Sequence, residues 1–145
     1  MRFVVFVSAW VLGVAMLFVS HTPGMAQSAR SDGAVFQKII KGQMSAFARG
    51  DADAAFSFAT PDIQRQFQTS DVFMKMVKQG YQPVYRPKDV TFGTSKVTSR
   101  GPVQEVFVTG PKGGSWLALY SFEQHGDGTW RISGCYLTKS SGFAA

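Results

Sequence analysis

Apolar positions along this chain change their period twice, and the changes divide it into segments. Residues 3–19 form an uncharged apolar run behind Arg2, without the spacing of an amphipathic element. Phe36, Ile39, Ile40, Met44, Phe47 and Ala48 then recur at three- and four-residue steps, with Gln37, Lys38, Lys41 and Arg49 between them. That spacing predicts a helix with one apolar stripe, closed by Gly50 in the left-handed conformation. Asp51 caps a second short helix reaching Ala59, whose Ala52, Ala54, Ala55, Phe56 and Phe58 leave it little polar surface. Thr60, Pro61 and Asp62 read as a third helix start: a capping hydroxyl, a proline whose missing N–H costs nothing in the first turn, and an acid facing the positive end. Ser70 and Asp71 repeat the capping chemistry ahead of Val72, Phe73, Met76 and Val77, and Gly80 ends that segment.

Beyond Gly80 the period falls to two. The stretch from Tyr81 to Pro87 contains Pro83 and Pro87 and predicts an extended connector. Strand-like runs follow at 90–97, 103–109, 116–123 and 130–138, separated by turn-rich segments short enough for antiparallel hairpins. A parallel sheet would need crossover helices, and the sequence has none here. The fold class is therefore α+β, with N-terminal helices packed against a curved four-stranded antiparallel sheet, cone-like in shape. Trp116, Ala118, Tyr120 and Phe122 share one face of their strand, and Trp130, Ile132 and Tyr136 one face of the next. Leu117, Leu119 and Leu137 fall on the opposite faces. A sheet apolar on both sides needs a second cover, which predicts a homodimer packed through the outer sheet face.

The order Arg2, apolar run, then Thr22, Pro23, Gly24 and Ala26 is that of a secretory signal peptide over residues 1–26. Cleavage before Gln27 is preferred, and cleavage before Ala29 is the alternative frame. An uncleaved anchor is the competing reading, because the run is only slightly shorter than the roughly 20 residues a spanning helix needs. The Pro-Gly break opposes it, so no stable membrane insertion is expected after cleavage. Residues 27–33 form a polar leader and residues 34–145 a single α+β domain, in a product that is periplasmic or secreted. Removing 26 of the 145 residues leaves 119. Fourteen basic residues against nine acidic then make the net charge +5. Lys and Arg are scattered and form no stripe, so nucleic acid is not an expected partner. Cys135 is the sole cysteine, which excludes an intramolecular disulfide, and its strand setting suits a small buried hydrophobe.

Gly50-Asp51, the run Ala55 to Pro61, Tyr81 with Pro83, Tyr85, Arg86 and Pro87, and the run Asp127 to Cys135 resemble, in order and spacing, a family of small exported bacterial proteins catalogued as domain of unknown function 4864. The helix-then-sheet order is similar, more distantly, to the superfamily named after nuclear transport factor 2, whose cone-shaped domains leave a pocket between sheet and helices. The resemblance implies an architecture. It brings no catalytic residues, and the same fold hosts enzymes, carriers and dimerisation modules.

Candidate chemistry is sparse. His125 is the one histidine left after cleavage, and it lies in the turn from His125 to Gly128, a poor place for a desolvated base. One histidine, one cysteine and dispersed acids have no metal-ligand spacing, so no metal and no cofactor is expected. The aromatic set is richer. Tyr81, Tyr85, Trp116, Tyr120, Trp130 and Tyr136 are candidates to line a pocket for a small apolar ligand, against the plainer reading that they are core. Arg131 alternates with Trp130 and Ile132, and either pairs with Glu105 or Glu123 or clamps a ligand carboxylate. The reading favoured is a non-catalytic exported module binding a small apolar ligand or an envelope protein partner. The alternative is a small pocket enzyme, isomerase- or lyase-like, using tyrosine or aspartate chemistry.

Overall fold

The computed structural model describes residues 25–141, as five helices followed by four strands: α1 (Met25–Arg49), α2 (Ala52–Ser57), α3 (Pro61–Phe67), α4 (Ser70–Gly80), α5 (Gln82–Tyr85), β1 (Asp89–Thr98), β2 (Gly101–Thr109), β3 (Ser115–Gln124) and β4 (Trp130–Lys139). The strands form one antiparallel sheet in the order β1-β2-β3-β4, curled but not closed. All four strand expectations hold to within two residues. The proposed signal segment lies outside the described residues except for Met25 and Ala26, which begin α1. Residues 27–33, expected as a flexible leader, fall within α1. Among the described residues no helix is long and apolar enough to cross a membrane.

Helix ends follow local chemistry closely. Gly50 takes φ 69° after α1, as a left-handed terminator should. The Asp51 carboxylate accepts from the Ala54 N–H at 3.0 Å, and Thr60 caps α3 with Pro61 in its first turn. Three expectations need correction. The cap of α4 is Thr69, whose hydroxyl accepts from the Val72 N–H at 3.2 Å, and Ser70 instead bonds the Asp53 carboxylate. The stretch after Tyr81 is not wholly extended: Pro83 sits in the first turn of α5, where it costs no hydrogen bond, and Pro87 falls beyond its end. Finally, α2 stops at Ser57, and the chain from Phe58 to Thr60 runs beside β4. There Ile132 N–H donates to the Phe58 carbonyl and Thr60 N–H to the Ile132 carbonyl, each at 2.9 Å.

The core lies between α1 and the inner sheet face. Phe36, Ile40, Met44 and Phe47 of the stripe are buried, whereas Ala48 is exposed. Phe36 stacks on Phe122 with ring centroids 4.3 Å apart and meets the Trp130 ring edge-on. Val106 and Val108 of β2 and Ala118, Tyr120 and Phe122 of β3 complete the layer. Gln104, fully buried, is held by the Ser95 hydroxyl and donates to the Gly93 and Glu105 carbonyls, which satisfies the chain where the β1 register shifts between Phe92 and Ser95. Arg86 donates to the Phe47 carbonyl at 2.7 Å and lies over the Tyr85 ring, tying α5 to the negative end of α1.

A second register shift sets the outer face. Gly134 pairs with Ser121 and Ile132 with Phe122, so Ser133 is an extra residue and side-chain parity reverses along β4. Cys135 and Leu137 consequently stand opposite Tyr120 and Ala118 on the inner face, and Tyr136 stands opposite Leu119 on the outer one. The expectation that Tyr136 shares a face with Trp130 and Ile132 is thus overturned, as is that of Leu137 on the outside. A sequence read at strict period two carries the wrong parity past a bulge.

Candidate functional site

The bulge also opens space. Ala59, Ser133 and Gly134 present little side chain along the β4 wall, and α3 and α4 lean over that wall without filling it. A cavity of about 270 Å³ results. Its floor is Phe47 of α1, Phe73 and Val77 of α4, Val84, Tyr120 and Ile132, all buried. Its rim is Ile63, Phe67, Met76 and Tyr81, half-exposed, and Gln66, exposed. The gradient from buried floor to open rim makes it a cleft with a mouth at the α3–α4 hairpin. Ser70 bonded to Asp53 ties the start of α4 to α2, and Gln64 donates to the Phe56 and Ala59 carbonyls, fixing α3.

Few polar atoms face this space, and they are grouped. Gln43, buried at 4 % exposure, is anchored by donating to the Ala55 carbonyl at 3.2 Å. Tyr81 donates to the Cys135 carbonyl at 3.1 Å. Tyr120 is 1 % exposed, and its phenolic oxygen is buried without a hydrogen-bond partner. The Cys135 thiol lies beside that oxygen, close enough to influence its titration. Burial pushes the Tyr120 phenol well above its usual value of 10.0, and the neighbouring Cys135 adds to the rise. Burial likewise raises Tyr81, again with Cys135 contributing. The Cys135 thiol is pushed up to about 12 by burial, with the Tyr120 hydroxyl pulling the other way. All three groups therefore stay protonated and neutral around pH 7. A thiol so desolvated is a poor nucleophile. No acid, lysine, arginine or histidine lines the cavity among the described residues.

Of the seven candidate binding residues, the cavity brings together Tyr81 and Tyr120. Tyr85 is buried beneath the Arg86 guanidinium, facing Phe47. Trp116, under the Lys139 ammonium, lines a second hollow of about 480 Å³ together with Tyr81 and Tyr136, and Trp130 packs on Phe36. Tyr136 is 65 % exposed on the outer face. Arg131 donates to the Ser57 carbonyl at 3.0 Å, so it pairs with neither Glu105 nor Glu123 and holds α2 to β4. Glu105 is taken instead by Lys96 at 3.0 Å and by Thr94. His125 stays in its turn, away from the cavity, with Asp127 accepting from Thr129.

The residues missed from sequence are Gln43, Cys135 and the Ser133-Gly134 pair. Gln43 had a signal: it occupies a position of the apolar stripe, between Ile40 and Phe47, where a polar side chain asks for a reason. Gly134 inside a strand pattern also marks a bulge or a close approach; a Cβ there would meet the Ser121 hydroxyl at 2.9 Å.

No curated protein and no solved structure matches this chain. A family model does, over residues 29–145, and so takes in every element from α1 to β4 apart from the first residues of α1. By that match, the chain belongs to the family described as Domain of unknown function (DUF4864).

Proposed function

We propose that this protein is an exported module that binds a small, largely apolar ligand in the cleft between α3, α4 and β4. The observation that carries the reading is the cleft itself, an apolar space of about 270 Å³ with buried floor and open rim. An apolar cavity of roughly 150 Å³ is enough to hold benzene, and ligand sites start at about 300 Å³. This volume therefore suits a molecule of one or two rings or a short acyl chain. The enzymatic alternative is less well supported, because proton transfer near neutral pH needs a group that titrates there, and the lining residues are phenols and a thiol raised above that range. Export rests on the pattern of residues 1–26.

Native mass spectrometry of the mature protein, purified from the envelope fraction and then exposed to one-ring and two-ring apolar compounds, tests the reading. Saturable one-to-one adducts that vanish in a Met76→Trp variant narrowing the mouth are expected. Absence of any adduct across the series overturns it.

A second reading concerns self-association. Leu117, Leu119 and Phe107 are half-exposed on the outer sheet face and Tyr136 more so. We propose a homodimer through this face, in which light scattering at micromolar concentration gives twice the chain mass and Leu119→Lys gives the monomer. A monomeric wild type sinks this reading without touching the first.

A further inference from the structure

We infer that the ligand of this cleft is a neutral molecule carrying a carbonyl-type hydrogen-bond acceptor, seated against the Tyr120 hydroxyl. The inference rests on the ligand-binding reading above and goes further by naming the chemical class.

Tyr120 is placed by β3 opposite Cys135 and is among the residues lining the cleft, with its buried oxygen beside Cys135 and near Tyr81. Tyr81 is engaged with the Cys135 carbonyl and the Gln43 amide nitrogen with the Ala55 carbonyl. Only the Tyr120 hydroxyl is buried and unpartnered there. Buried polar groups in folded proteins are nearly always satisfied, so an orphan at a cavity wall points to a partner supplied by what occupies the cavity. A phenol is a better donor than acceptor, and the neighbouring thiol is only a weak partner for it. The complementary group is thus an acceptor oxygen such as a ketone, ester or amide carbonyl.

Charge narrows the class. The lining residues carry no cation to pair a carboxylate or phosphate and no anion to pair an amine. A charged head group placed beside Tyr120 would be stripped of water without compensation, which the binding of one small apolar body cannot offset.

The test is isothermal titration of the mature protein with acetophenone and ethylbenzene, which share a skeleton and differ by one carbonyl oxygen, and with benzoate and benzylamine. Acetophenone is expected to bind at least tenfold more tightly than ethylbenzene, the equivalent of about 1.4 kcal/mol. Benzoate and benzylamine are expected to bind at least tenfold more weakly than acetophenone. In Tyr120→Phe the ketone preference falls to about onefold while ethylbenzene binding and the melting temperature are kept, since only an unsatisfied hydroxyl is removed. Equal affinity for ethylbenzene and acetophenone in the wild type overturns the inference and leaves the apolar cleft standing. So does a ketone preference that survives in Tyr120→Phe, or benzoate binding as tightly as the ketone. If none of the four compounds binds saturably, both readings fail.

Discussion

At the scale of single residues, the inner wall of β4 is distinguished by how strongly it suppresses ionisation. With its thiol at about 12 against an ordinary 9.0, Cys135 carries roughly a thousandfold less thiolate than a free cysteine at the same pH. Iodoacetamide at pH 8 should therefore label the native protein at least a hundredfold more slowly than the urea-unfolded chain, with peptide mass mapping as the readout. The same shift has a sign for stability. Above pH 9 the unfolded chain releases the Cys135 proton and the folded chain keeps it, so the unfolded state gains and stability falls as pH rises towards 12. Tyr120 and Tyr81, also raised, steepen the fall above pH 10. Urea denaturation from pH 8 to 11 should show this alkaline loss, shallower in Cys135→Ala. Glu105 behaves in the opposite sense. Hydrogen bonds from Thr94 and then Lys96 hold its carboxyl below the usual 4.5, so its contribution is present above that value and lost as pH falls through the folded value. Glu105→Gln should cost about 0.5–1 kcal/mol at pH 7 and nothing measurable in strong acid, in chemical melts at the two pH values.

The elements were largely legible, because their ends are set by neighbours in sequence. Thr60 with Pro61, Asp51 and Gly50 act on backbone groups within three or four residues, and such contacts need no tertiary partner. Gly50→Ala should cost about 1 kcal/mol through the left-handed φ alone, since a methyl there meets nothing within 4 Å. Thr69→Ala should cost about 1 kcal/mol by removing the α4 cap, whereas Ser70→Ala should cost less, and urea midpoints will rank the two. What local reading got wrong has a common cause. The α5 turn, the stop of α2 at Ser57 and the parity of β4 all depend on a partner far along the chain: Arg86 bonding Phe47, Phe58 and Thr60 bonding Ile132, Ser121 facing Gly134.

For the molecule as a whole, the α1 stripe against the inner sheet face is the principal bond between layers. Phe36 lies at its centre, 1 % exposed and stacked on Phe122. Phe36→Ala should remove about 3–5 kcal/mol and lower the midpoint of helix and strand loss together in a circular dichroism melt. Had the layers been independent, the helical signal would survive the loss of strand. By itself the sequence determined the α+β class, the helices-then-strands order, nearly every strand boundary and the apolar stripe, since periodicity and caps are properties of nearest neighbours. Only the tertiary structure decided that Tyr81 stands between two hollows, one shared with Tyr120 and the other with Trp116 and Tyr136, while Tyr85, Trp130 and Arg131 line neither. The reason is that a cavity is where packing stops, and the bulge at Ser133-Gly134 that stops it changes which side chains meet without changing which residues form strands.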